Sequence, residues 1–252
     1  MSLLQSASSD GITTITLTRA DHANALSEAM LEALAIAIQR ADADEASRAI
    51  VIGAEGKIFC AGHDLAEMRQ HEDKAYFNAL FARCSELMLS VRLAKKPVIA
   101  MVQGSAVAAG CQLVASCDLA YAAEHARFGV NGINLGLFCS TPSVALSRAI
   151  QPRQALELLL TGDLISAHRA AELGLINAVL PADQLQAHVM KVAAAIAAKQ
   201  PEVIALGKRL FWQQLGMDEA SAYAKASNCM AENIGLRETQ RGIDGFLAKP
   251  SR

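Results

Sequence analysis

Apolar and polar positions along this chain follow two periods, and the two alternate. Short runs rich in β-branched residues, Ile12 to Thr18, Arg48 to Gly53 and Pro97 to Val102, predict strands, as do Cys117 to Ala122, Ala126 to Val130 and Ile176 to Leu180. Between them the apolar spacing is helical. Ser27 caps a helix predicted from Glu28 to about Arg40, with Met30, Leu31, Leu34, Ile36 and Ile38 as its apolar positions. A long helix is predicted over Lys74 to Leu93, another from Pro152 to Thr161, and a short one capped by Ser166 and closed at Gly174. Strand, helix, strand in this order argues for an α/β fold with parallel strands. After Pro181 the pattern turns wholly helical, over Asp183–Lys199, Pro201–Leu215, Asp218–Ile234 and Arg237–Leu247. The break at Gln200-Pro201 divides a mixed core (1–199) from a helical tail (200–252). Such a tail suits packing on neighbouring subunits.

Two segments share one local design. In the first, Ile58-Phe59-Cys60 reads as a strand, Ala61-Gly62-His63 as a loop of mostly small residues, and Asp64 as the cap of the helix that follows. In the second, the strand ending at Val102 runs into Gly104 to Gly110, seven residues drawn only from Gly, Ala, Ser and Val, and a buried helix is predicted to open at Leu113. A strand that turns into a helix through small residues leaves N–H groups uncovered at a partly positive helix terminus, which suits an oxyanion or a polarised carbonyl. Small residues equally permit close packing of helix on sheet. The stretch alone does not choose between these readings.

Composition narrows the field. With 252 residues and 52% hydrophobic content the chain can bury a large core. A formal net charge of −2 and 4% aromatic content argue against nucleic-acid and membrane-surface partners. No apolar run is long enough to span a bilayer, and the first residues lack a signal-peptide pattern. The six cysteines form no C-x-x-C pair and the histidines complete no zinc pattern. Reduced thiols in the cytoplasm are expected, or in the mitochondrial matrix if a transit peptide has been removed.

Phe59-Cys60-Ala61-Gly62-His63-Asp64-Leu65, then Ala109-Gly110-Cys111-Gln112-Leu113 and Cys117-Asp118, resemble the enoyl-CoA hydratase/isomerase (crotonase) superfamily. Asn24-Ala25-Leu26, Leu160-Thr161-Gly162, Ile165-Ser166-Ala167 and Gly174-Leu175-Ile176 match as well, so the resemblance covers about Ile12 to Pro250. It implies a spiral of ββα units followed by a helical region that assembles trimers or paired trimers. It also implies an acyl-CoA thioester as ligand, a part in fatty acid metabolism, and no cofactor beyond the coenzyme A of the substrate. Carried over residue by residue, His63 and Ala109 supply the backbone N–H pair of an oxyanion hole for the thioester enolate. Ala23, Ala25, Ala61, Gly62, Asp64 and Leu65 line the CoA groove, and Lys249 meets a CoA phosphate.

The chain departs from the pattern at the acid/base positions. Hydratases of the family add water with two glutamates, and the matching positions here are Gln112 and Gly132. An amide does not exchange a proton near neutral pH, and glycine has no side chain. Ser140 stands where a related dehalogenase has a catalytic aspartate. Gln112 remains a candidate for orienting water, Ser140 a candidate nucleophile without an evident base, and the His63 imidazole a base only if it faces the pocket. Three readings follow: an acyl-CoA-processing enzyme, nominally a hydratase (a lyase) with weak ordinary activity; an acyl-CoA-binding protein without catalysis; and a thioester hydrolase or isomerase. Restoring glutamate at both 112 and 132 is the expected route to recovered hydration if the frame is intact.

Overall fold

A computed structural model of the chain describes residues 2–248. It opens on a hairpin that the apolar pattern does not announce. β1 (Leu4–Ser9) runs antiparallel to β2 (Ile12–Leu17), and Asp10 and Gly11 turn between them at φ 53° and 76°. Both residues lie in the left-handed region that a tight type I′ hairpin demands, which Asp-Gly supplies. β1 is largely exposed, so no apolar alternation marks it.

The chain then repeats strand, strand, helix. After α1 (Glu28–Ala43) come β3 (Ala49–Ala54) and β4 (Ile58–Cys60), followed by α2 (Leu65–Met68) and α3 (Lys74–Leu93). The next unit is β5 (Val98–Val102), β6 (Ser105–Val107) and α4 (Ala109–Ser116); the third is β7 (Leu119–Ala123), β8 (Arg127–Gly129) and, after a loop, α5 (Ser140–Ala149). The remaining elements are α6 (Pro152–Thr161), β9 (Ile165–Ser166), α7 (Ala167–Leu173), β10 (Ala178–Leu180) and α8 (Ala182–Ala197), then α9 (Pro201–Gln214), α10 (Glu219–Gly235) and α11 (Arg237–Leu247). The first strand of each unit joins a sheet of order β1-β2-β3-β5-β7-β10, and the second joins a sheet of order β4-β6-β8-β9. Apart from β1 and β9 every pairing is parallel. This is the expected α/β spiral of ββα units with an all-helical C-terminal region.

One difference bears on function. α4 opens at Ala109, four residues before the expected Leu113, so the small-residue stretch holds β6 and, in Ala109 and Gly110, the first residues of the helix. Ala has the highest helix propensity, and buried Gly110 is tolerated because the helix lies directly on a strand.

β3 shows why the large sheet is buried on both faces. Its side chains alternate, with Ile50 and Ile52 entering the main core beside Met30, Leu34 and Phe59, while Ala49 and Val51 meet Leu185, Val189 and Ala193 of α8. Each such aliphatic side chain contributes about 1.5–3 kcal/mol by leaving water. By contrast α10 and α11 bury none of their residues in the single chain. The link from core to tail is polar: Lys208 Nζ of α9 pairs with Asp118 Oδ2 at 2.7 Å, and Trp212 Nε1 donates to Asp118 Oδ1 at 2.9 Å.

Candidate functional site

The loop after β4 is held by its neighbours. Asn24, wholly buried at φ 51°, donates from Nδ2 to the carbonyls of Glu55 (2.9 Å) and Ile58 (2.8 Å). Leu26 donates its N–H to the Gly62 carbonyl at 2.7 Å and accepts from the Asp64 N–H at 3.4 Å, forming a parallel bridge opposite His63. In that pattern the groups flanking His63 face Leu26, so the N–H of His63 points the other way. Asp64 is occupied as the cap of α2, accepting from the N–H groups of Ala66 and Glu67.

The second unit approaches from the opposite side. The Ala108 N–H donates to the Gly129 carbonyl at 2.9 Å, and the next backbone bond in the chain runs from Gln112 to Ala108 at 3.0 Å. Ala109, Gly110 and Cys111 are thus first-turn residues with no helical carbonyl to serve. Ala108 has φ 49° and ψ −120°, a conformation costing a non-glycine residue about 1–3 kcal/mol. The two units touch backbone to backbone: a Cβ on Gly62 would lie 3.2 Å from the Ala109 nitrogen, and one on Gly110 would lie 2.2 Å from the Cys60 carbonyl. The small residues therefore do serve close packing, which sets the loop at Gly62 against the first turn of α4. Among the described residues neither the His63 nor the Ala109 N–H has an acceptor.

Beside them is a cavity of about 450 Å³. Of the residues singled out from sequence it collects Ala61, His63, Leu65, Ala109, Gly132 and Ser140. Ala23, Ala25, Gly62, Asp64 and Gln112 do not line it. Lys249 lies outside the described residues. Sequence reasoning missed the apolar walls, chiefly Met68, Phe81, Leu135, Leu137 and Phe138. Phe81 sits in the middle of α3, where its helical spacing carries no sign of a pocket. Depressions of about 510 and 630 Å³ lie elsewhere, edged by charged side chains such as Arg48 and Lys95 in one and Arg40 and Asp44 in the other. The unpaired N–H groups belong to the smaller, apolar one.

The two acid/base positions differ in kind. Gln112 is 4% exposed, one turn into α4, and its Oε1 is buried without a hydrogen-bond partner. Gly132 lies in a closed turn: Gly136 donates to the Ile133 carbonyl at 2.9 Å and Leu137 to the Gly132 carbonyl at 3.0 Å. A Cβ on Gly132 would meet the Leu137 oxygen at 2.5 Å and Cys139 Sγ at 2.8 Å. No side chain fits there without movement of the backbone. The expected double glutamate replacement therefore meets a steric obstacle at 132.

The remaining polar groups divide simply. Ser140 Oγ reaches only the Phe138 carbonyl, at 3.4 Å, and Asn134 is used to hold Gly162 at 3.2 Å. Burial pushes the Cys60 and Cys111 thiols up to about 12, and raises that of Cys139, so none is a ready nucleophile. His63 lines the cavity; its imidazole lies edge-on to Phe81 with ring centres 5.4 Å apart, and both ring nitrogens are buried. Burial holds it below the ordinary histidine range, opposed in part by the nearby Leu26 carbonyl, so the ring is neutral near pH 7. No group of three His, Cys, Asp or Glu among the described residues is placed to hold a metal.

Comparisons with known proteins fit this geometry. The family model described as enoyl-CoA hydratase/isomerase matches residues 7–251. Mouse "Enoyl-CoA hydratase domain-containing protein 3, mitochondrial" is 45% identical over 240 residues, covering 95% of this chain and 80% of the relative. A solved enoyl-CoA hydratase from Mycobacterium smegmatis superposes with a TM-score of 0.96 at 48% identity, covering 98% of this chain and 96% of that one. The crystal structure of human enoyl coenzyme A hydratase domain-containing protein 3 gives a TM-score of 0.95 at 43% identity, with full coverage of both (100% each).

Proposed function

Because the chain belongs to the enoyl-CoA hydratase/isomerase family, we propose that it binds an acyl-CoA thioester with the carbonyl oxygen accepting from the N–H groups of His63 and Ala109. The observation that supports this reading is that two backbone N–H groups without an acceptor belong to residues lining one apolar cavity. Such donors act on charge that develops during reaction. When the thioester enolises, negative charge moves onto the oxygen, and fixed N–H groups stabilise it with no reorganisation; removing one such donor typically slows turnover roughly 100- to 1000-fold. The apolar walls take the acyl chain and raise the worth of each hydrogen bond by excluding water. Ala23, Ala25, Gly62 and Asp64 belong, on this reading, to the CoA groove outside the acyl cavity.

Hydration of an enoyl thioester needs a group to take a proton from water and one to deliver a proton to the α-carbon. Gln112 does neither near pH 7 and Gly132 has no side chain. The protein thus binds acyl-CoA without efficient ordinary hydration, and neither position can take the α-proton that enolisation releases. A purely binding role is favoured by the closed turn at Gly132, which leaves no room for a second acid. The exposed apolar side chains of the tail, Phe211, Tyr223, Met230 and Phe246 among them, are covered by assembly into trimers or paired trimers. The cysteines stay reduced in the cytoplasm or the mitochondrial matrix.

Calorimetry with a saturated acyl-CoA, together with crotonyl-CoA hydration followed by loss of enoyl absorbance, tests both halves. Binding is expected, with hydration about 100- to 10,000-fold slower than two-glutamate enzymes achieve. Absence of binding to every CoA thioester overturns the reading, and hydration at the full family rate overturns its second half.

A further inference from the structure

One wall of the cavity is tied to the rest of the molecule by a single polar contact. α2 (Leu65–Met68) and the exposed residues 69–73 after it join Asp64 to the start of α3. Leu65 and Met68 line the cavity, and Leu65 is 50% exposed, so α2 forms an outer wall. The backbone bonds of this stretch stay within it. Met68 donates to the Asp64 carbonyl, Arg69 to Leu65 and Gln70 to Glu67, each at 3.0 Å, and His71 donates to Met68 at 3.2 Å. Between Leu65 and Glu72, among the described residues, one hydrogen bond reaches beyond the flanking Asp64. Glu67 Oε2 accepts from the N–H of Glu28, the first residue of α1, at 2.9 Å. That N–H belongs to the partly positive end of a long helix, a favourable place for a carboxylate. Glu28 is itself braced, since its Oε1 pairs with Arg83 of α3 at 2.7 Å. The other contacts are soft: Met68 packs on the main core, and the His71 ring stacks on Tyr76 with ring centres 3.6 Å apart.

We propose that residues 65–72 are a lid on the acyl cavity and that the Glu67–Glu28 contact is the clasp holding it shut. A segment with few ties to the core opens locally at lower cost than the sheets do. Segments of this kind gate ligand entry and release in many proteins. Breaking one charged hydrogen bond, lifting Met68 and sliding His71 off Tyr76 frees the segment without disturbing β3, β5 or α4. Leu65 and Met68 travel with it and open the cavity. Glu67 is thus a positioning residue: it does not line the cavity, and it acts by holding the wall that does. The inference rests on the acyl-CoA reading for what passes the lid, while the clasp is testable without ligand.

Hydrogen exchange followed by mass spectrometry on the full chain reads the opening directly. In the free wild-type protein the amides of residues 65–72 are expected to exchange ahead of those of β3 and β5. Glu67→Ala should speed exchange in that segment about tenfold, the worth of one hydrogen bond to a charged acceptor, and leave β3 and β5 unchanged. Glu67→Gln keeps an acceptor without the charge and should recover part of the protection. Release of radiolabelled octanoyl-CoA into excess unlabelled ligand, followed by rapid filtration, should be about tenfold faster in Glu67→Ala than in wild type. Wild-type exchange in residues 65–72 as slow as in β3 and β5 overturns the lid, even where a variant does not fold. So does a rise in Glu67→Ala that spreads equally through β3 and β5, or an unchanged rate of release. If no CoA thioester binds while exchange behaves as described, the acyl-CoA reading falls and the clasp stands.

Discussion

Replacing Gly132 by alanine puts a methyl group where the turn has already closed. The added carbon would stand 2.5 Å from the Leu137 oxygen and 2.8 Å from Cys139 Sγ. The sulfur can give way by rotating about its own bond. The carbonyl is backbone, and its residue is tied back to Gly132 by the 3.0 Å hydrogen bond from the Leu137 N–H. Opening that contact to an ordinary distance shifts the turn by roughly half an ångström or more, a small-to-large overpacking that costs about 1–3 kcal/mol. For a chain of this size the melting temperature then falls by about 2–12 °C. The assay is urea unfolding, with the midpoint moved and the slope unchanged. Gly207→Ala supplies a control of opposite sign. A Cβ there meets nothing within 4 Å, and alanine in the interior of α9 should stabilise by about 0.5–1 kcal/mol. A Gly132→Ala protein with the wild-type midpoint would refute the reasoning, since position 132 would then be open and its missing carboxylate a matter of one substitution.

Lys208→Met should cost about 3–5 kcal/mol because it leaves the Asp118 carboxylate buried beside Trp212 without its cation, and adding Asp118→Asn should recover part of the loss; a double-mutant cycle with no coupling would contradict this. Stability should decline as pH falls below the ordinary 6.5 of histidine, because the unfolded chain takes up a proton that the buried His63 ring resists, and His63→Phe should flatten that slope; an unchanged slope would deny the ring its buried, neutral state. In the native protein Cys229, half-buried, should react with maleimide at pH 7.5 well before the five buried thiols, as mass spectrometry of labelled peptides would show.

The elements with strong local signals were readable before any coordinates. Lys74–Leu93 and Pro152–Thr161 form helices over the expected ranges, and Ser27, Asp64 and Ser166 cap as expected. The hairpin strand β1 escaped because its exposed face has no apolar alternation, although Asp10-Gly11 was a turn signal in plain view. The early start of α4 escaped for a different reason. A left-handed alanine at its cap is set by contacts with β8 and the Gly62 loop, and nothing local to Ala108 encodes them. In the site, the small-residue turns marked two stretches of interest, and it was the family resemblance that named His63 and Ala109 within them. The walls could not, because Phe81 and Phe138 come from elements far apart in sequence and have ordinary helical or loop surroundings. The blocked state of Gly132 is also invisible in one dimension, since it depends on where the Leu137 carbonyl lies.

The account turns on where a thioester oxygen would sit. A crystal structure of the protein with a saturated acyl-CoA measures this directly. The oxygen is predicted to lie within about 3 Å of both the His63 and Ala109 nitrogens, with the first acyl carbons in the cavity beside the His63 ring. A thioester bound with its oxygen turned away from both nitrogens, or seated in one of the charged depressions instead, would contradict it.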